Sequence, residues 1–106
     1  MFAKLPEPPY YAVIFSAQRT PGDNSYGAMA EAMSQLAARQ PGYLGAETAR
    51  NADGFGMTVS YWDSEAAILN WKHQAQHMVA QKKGQDAWYA HYEIRVAKVE
   101  RAYGMR

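Results

Sequence analysis

Apolar residues in this chain repeat with two different periods, and the order of those periods leaves few folds open. A period of two marks strands; a period near 3.6 marks helices. The run from Tyr10 to Arg19 is rich in β-formers, with Tyr11, Val13 and Phe15 pointing one way and Ala12 and Ile14 the other. Both faces are apolar, so the strand is expected to be covered on both sides. Thr20-Pro21-Gly22-Asp23-Asn24 reads as a turn. Met29, Ala32, Met33, Leu36 and Ala37 then recur at helical spacing, which predicts a helix from about Ser25 to Arg39. Asn24 or Ser25 is placed to cap its free amides. Gln40-Pro41-Gly42 ends it, because proline cannot continue the hydrogen-bond ladder.

A weaker strand is expected from Tyr43 to Asn51, followed by a hairpin turn at Ala52-Asp53-Gly54. From Gly56 to Trp62 the pattern alternates, with Met57, Val59 and Tyr61 on one face and Thr58, Ser60 and Trp62 on the other. Asp63-Ser64-Glu65 opens a second helix, with Asp63 as the expected cap and Glu65 at the positive end of the helix dipole. Its apolar stripe is Ile68, Trp71, Ala75, Met78 and Val79, and Gly84 is expected to end it. Gln85 to Trp88 reads as a further short helical turn. A last strand is expected from Tyr89 to Tyr103, well beyond the usual length of about 5–6 residues. Its apolar parity shifts between Val96 and Val99, which predicts a bulge there. The order β-α-β-β-α-β is that of an α+β, ferredoxin-like split βαβ fold. Helices cover one face of such a sheet. The other face is apolar, and a second copy of the chain is the expected cover, making a homodimer.

With 106 residues, the chain is one domain long. Residues 1–9, with Pro6, Pro8 and Pro9, read as an extended lead-in, and residues 10–106 as the single domain. A net charge of +1 leaves no basic excess for phosphates, and Gln81-Lys82-Lys83 is too short to supply one, so nucleic acid is not expected as a partner. No apolar run approaches the ~20 residues of a membrane span, and the first residues lack the apolar stretch of a signal peptide. There is no cysteine, hence no disulfide framework and no thiolate metal site, and a cytoplasmic protein is expected. Aromatics are abundant, with 3 Trp, 8 Tyr and 3 Phe, which suits an interface or a cavity for a small apolar or aromatic ligand.

Several residues carry candidate chemistry. Trp71 lies on the apolar stripe, where core packing and a pocket wall are alternatives. His73 and His77 stand four residues apart, a spacing that two metal ligands can use, but no Asp or Glu completes a third position nearby and His91 is not demanded by it. No metal site is therefore assigned. Ser16 interrupts an apolar strand, either as a hydroxyl bonded to backbone or as a polar handle in a pocket. Tyr61 and Trp62 end a strand beside a helix start, and Trp88, Tyr89 and Tyr92 form a further aromatic group. No phosphate-binding glycine loop and no nucleophile elbow occurs.

Three segments carry a family resemblance: Arg39-Gln40-Pro41-Gly42-Tyr43-Leu44-Gly45, Tyr61-Trp62-Asp63-Ser64-Glu65-Ala66, and Trp71-Lys72-His73-Gln74-Ala75-Gln76-His77. Together they resemble the antibiotic biosynthesis monooxygenase (ABM) domain over roughly residues 10–103. The resemblance implies a dimeric α+β barrel, in which two four-stranded sheets face each other, with a pocket between sheet and helices in each copy. It implies one of several activities. Some members oxidise aromatic polyketides with molecular oxygen and no cofactor. Others degrade haem, using an Asn on the first strand, a Trp on the second helix and a His about three turns later. Here Trp71 fits, but Ser16 stands near the Asn position and Gln81 stands ten residues after Trp71, so haem degradation is not expected. By analogy with the oxygenases, the expected catalytic set is His77 as base, Trp71 as stacking wall and Ser16 as hydrogen-bond partner, with no cofactor. A non-catalytic ligand-binding or structural dimer is the alternative.

Overall fold

The computed structural model describes residues 1–22, 25–82 and 88–105. Its elements are β1 (Tyr10–Arg19), α1 (Tyr26–Ala38), β2 (Tyr43–Arg50), β3 (Phe55–Trp62), α2 (Glu65–Lys82) and β4 (Tyr89–Val99). The strands form one sheet in the order β2-β3-β1-β4, every neighbouring pair antiparallel. This is the ferredoxin-like α+β arrangement that the two periods predict.

Strand register separates the two faces of the sheet. Val13 lies opposite Ser60 and Val96, and Phe15 lies opposite Thr58 and Ile94. Val13 packs on a cluster of Ala37, Trp62 and Ala67, so this parity faces the helices. The other parity pairs Ile14 with Val59 and Arg95, and Ser16 with Met57 and Glu93. Two clusters join helices to sheet. One is built on Ala37, Trp62 and Ala67, with Val13, Tyr43, Ile68 and Trp71 against it. The other is built on Tyr26, Met29 and Trp88, with Ala30, Met33, Val79 and Tyr89 around it. The helical stripes predicted from spacing supply their members: Met29, Met33 and Ala37 from α1, Ile68, Trp71 and Val79 from α2.

Local details depart from the expected ones. Ser25 precedes α1 in the left-handed region, φ 65°, and makes no side-chain cap. Asn24, Gly84 and the segment Gln85–Ala87 lie outside the described residues. At α2 the cap is Ser64, not Asp63. Its Oγ accepts the Ala67 N–H at 3.1 Å. The helix starts at Glu65, so residue 64 is the one whose side chain reaches the third helical amide. Asp63 instead donates its backbone N–H to the Gly42 carbonyl at 2.9 Å. β4 stops at Val99, whose partner is Tyr10, the first residue of β1. Before Tyr10 stands Pro9, which has no N–H to give a ladder, so the strand has nothing further to pair with. The bulge also lies elsewhere. Pairing is regular from Tyr10↔Val99 to Gln18↔His91 and then shifts to Arg19↔Tyr89, which leaves Ala90 as the extra residue.

The α1–β2 turn is tight. Gly42 has φ +85°, and a Cβ there would sit 2.5 Å from Asp63 Oδ1 and 2.6 Å from the Ala67 Cβ. Gly42→Ala is therefore expected to cost about 1–3 kcal/mol from the left-handed backbone, plus the clash. Urea unfolding of the variant checks this; an unchanged midpoint would show that the turn has another way to form.

Residues 1–9 also make contacts. The Ala3 N–H donates to Glu47 Oε2 at 3.1 Å, and Ala3 and Leu5 lie over Gly45. Glu47 Oε1 accepts the Tyr61 hydroxyl at 2.8 Å. Burial pushes the Tyr61 phenol up to about 12, aided by its bond to Glu47 and that carboxylate's charge. The unfolded phenol titrates at 10.0. A group held protonated in the folded state stabilises it below the unfolded pKa and loses that contribution as pH rises toward the folded one. Stability is therefore expected to fall between pH 10 and about 12. Tyr61→Phe should flatten that fall in unfolding curves taken from pH 9 upward.

Candidate functional site: an aromatic groove between sheet and helices

The helix-facing side of the sheet carries aromatic side chains from end to end. At one end Trp62 is fully buried. Trp71, half-buried, stacks on it with ring centroids 5.8 Å apart and planes 22° apart. Tyr43 meets Trp62 edge-on at 5.5 Å. Trp62 Nε1 donates to Ser60 Oγ at 2.9 Å, so its polar atom is satisfied inside the core.

At the other end the rings run in series. Tyr26 of α1 meets Tyr89 at 5.7 Å, Tyr89 meets Phe15 at 5.5 Å, and Phe15 meets Tyr92 at 5.6 Å. Tyr26 is 7 % exposed and Tyr92 is 40 %, so the series leads from the interior to the surface. Beyond it on the same face of β4, Ile94 and Val96 are 55 % and 52 % exposed. The helices thus leave an apolar strip of the sheet open beside the ring series. The Ala90 bulge lets Tyr89 and Tyr92, three residues apart, approach within 5.8 Å on one face.

Polar groups gather at the inner end. Arg50 Nη1 donates to the Tyr26 hydroxyl at 2.9 Å, and the Tyr89 hydroxyl donates to the same oxygen at 3.4 Å. The Arg19 guanidinium carbon stands 3.7 Å from the centre of the Tyr26 ring and that of Arg50 5.1 Å from it. Burial raises the Tyr89 phenol well above its ordinary range; the bond to Tyr26 and that ring's charge add to this, while Arg50 and Arg19 act the other way.

The residues proposed from sequence are not all in this groove. Trp71 is. Ser16 has the parity of Ile14 and lies on the opposite face of the sheet, between Met57 and Glu93. Strand alternation already places it there. His73 and His77 are both exposed on α2. His91 is an exposed partner of Glu93, with Nε2 2.9 Å from Oε2. Among the described residues no group of three or more His, Asp and Glu is placed to hold a metal ion. Among them, too, no helix is long and apolar enough to cross a membrane. The groove residues not singled out from sequence are Arg19, Tyr26, Arg50 and Phe15.

The family model described as antibiotic biosynthesis monooxygenase matches residues 26–83, more than half of the chain. The chain belongs to the ABM family. The uncharacterized protein YqjZ of Bacillus subtilis (strain 168) is 57% identical over 99 residues, which cover 93% of this chain and 87% of that protein. The jasmonate monooxygenase ABM of Pyricularia oryzae is 29% identical over 94 residues, 84% of this chain but 43% of that protein. Among solved structures, SnoaB, a cofactor-independent oxygenase from Streptomyces nogalater, superposes with a TM-score of 0.74 over 90% of this chain and 97% of its own, at 12% identity. That likeness is one of fold.

Proposed function

We propose that this ABM protein is a cofactor-independent monooxygenase that takes a small, flat, aromatic or polyketide-like molecule into the aromatic groove. The observation that carries the reading is the ring series Tyr26–Tyr89–Phe15–Tyr92, which runs from a polar interior to an open apolar strip. Stacked rings favour a flat ligand, and the groove holds it in one orientation. The substrate anion supplies the electrons. An activated CH2 and O2 become C=O and H2O, so the balance needs no further reductant. Trp71 forms the wall at the Trp62 end. His77, exposed on α2, takes the proton from a substrate reaching the outer edge of that helix.

The family and the presence of a jasmonate monooxygenase and a cofactor-independent oxygenase among its relatives support this reading. Oxygen consumption with anthrones and quinols tests it. Turnover that His77→Ala lowers at least tenfold, while His73→Ala leaves it unchanged, is the expected result. Ligand binding without any oxygen uptake would favour a non-catalytic binding protein.

The assembly proposed with it is a homodimer. On the sheet face away from the helices, Phe55 and Met57 are 40 % and 42 % exposed, and Ile14 and Val59 are half-buried. A second copy laid on this face would bury them, as in the α+β barrel. Ser16 would then lie at the barrel interior rather than in the groove.

A further inference from the structure

The Tyr26 oxygen accepts hydrogen bonds from Arg50 and Tyr89, which leaves its own proton to be donated. Two guanidinium groups flank its ring. Among the described residues neither is ion-paired, since the one such pair found there is His91–Glu93. The first turn of α1, which begins at Tyr26, holds no acidic residue, so its positive end is not neutralised from within the helix. Arg19 Nη2 donates to the Gly22 carbonyl at 3.1 Å, while its Nε is cut off from solvent and has no hydrogen-bond partner among the described residues. Beside Arg19 an open depression is lined by Thr20, Pro21, Gly22, Ala52, Asp53 and Gly54.

Positive charge and a spare hydroxyl proton thus converge where the ring series ends. Neutral apolar ligands would use neither. We propose that Arg19, Arg50 and the Tyr26 hydroxyl form an oxyanion subsite at the inner end of the groove, so that the ligand is an aromatic molecule bearing a carboxylate or enolate oxygen. Arginine suits this because its planar fork matches a delocalised oxyanion and stays charged at any working pH. The placement of the subsite rests on the groove being the ligand site, as in the proposed function; its preference for an anion does not require turnover.

Binding measurements separate the two ideas. The probes are 2-naphthoate, the neutral 2-naphthamide, and anthrone across its ionisation, each titrated by calorimetry into the full chain. 2-Naphthoate should bind roughly ten- to a hundredfold more tightly than the amide, the size expected for hydrogen bonds to a charged group. Arg50→Gln and Tyr26→Phe should each shrink that ratio, and Arg50→Lys should restore part of it. Far-ultraviolet circular dichroism keeps the comparison to folded variants, and Arg50, exposed at the end of β2, is the variant least able to disturb folding. Anthrone binding that tightens on ionisation points to an enolate, and tightening confined to naphthoate points to a carboxylate; either supports the subsite. Equal affinity for acid and amide, no binding of any probe, or a ratio unchanged in Arg50→Gln overturns it. Selective anion binding without oxygen uptake would leave the subsite standing and remove the oxygenase reading.

Discussion

Trp62→Ala is expected to lower the unfolding free energy by about 3–5 kcal/mol, as large-to-small changes at buried aromatic positions do. Trp62 is fully buried and is the centre of the Ala37–Trp62–Ala67 cluster. Its removal leaves a void lined by Val13, Tyr43, Ile68 and Trp71, which come from β1, β2 and α2. No single element can shift to close it. For a chain of this size the thermal midpoint should drop by about 12–40 °C, at about 4–8 °C per kcal/mol. Trp71→Ala removes the other half of the stack, but that side chain is half-buried, so the loss should be smaller. Ser60→Ala gives a separate measure, because it leaves the Trp62 N–H unpaired in the core at a cost of about 1–3 kcal/mol. Denaturant unfolding at a fixed protein concentration checks all three. A Trp62→Ala variant within 1 kcal/mol of the parent would mean that the helices are held to the sheet elsewhere.

The second large effect concerns assembly. Light scattering should give about twice 11.9 kDa at micromolar concentration. Met57→Lys should return the mass to 11.9 kDa. Met57 is 42 % exposed on the face away from the helices, so in one copy a lysine there can reach water and the fold is spared. In a face-to-face barrel the same charge would be taken out of water, which costs several kcal/mol per ion. A stable monomer of the parent chain would defeat the barrel, and a variant that stays dimeric would move the interface to another face. Because two copies would share stability, unfolding midpoints should rise with concentration in the parent and not in Met57→Lys.

Much of the fold is written in local periodicity. Tyr11, Val13 and Phe15 alternate against Ala12 and Ile14, and the structure keeps that division. The stripes Met29–Met33–Ala37 and Ile68–Trp71–Val79 need only a 3.6-residue period to be seen. What escapes such a reading depends on the neighbours of a segment. Asp63 and Ser64 both offer side-chain oxygens, and the chain's entry angle into α2 selects the second. The length of β4 is set by where β1 begins, eighty-odd residues earlier in the chain. The same holds for the groove. Trp71 is legible because it lies on a stripe. Arg19, Tyr26 and Arg50 come from the end of one strand, the start of a helix and the end of another strand, and each alone reads as a solvated charge or a capping aromatic. Only the tertiary fold brings them around one ring. Ser16 is the converse case: its parity with Ile14 was visible, and it points away from the helices.

The one-residue bulge at Ala90 links the architecture to the groove in a way that point substitutions do not test. Tyr89 and Tyr92 stand three residues apart, a spacing that puts two side chains on opposite faces of a regular strand. Because Ala90 takes no place in the pairing, Tyr89 falls opposite Arg19 and returns to the face of Tyr92. Deleting Ala90 would leave the two tyrosines two residues apart, in unbroken register and still on one face, so the inner wall should survive the deletion. What the wall depends on is the number of paired residues between the two rings, and not the bulge itself.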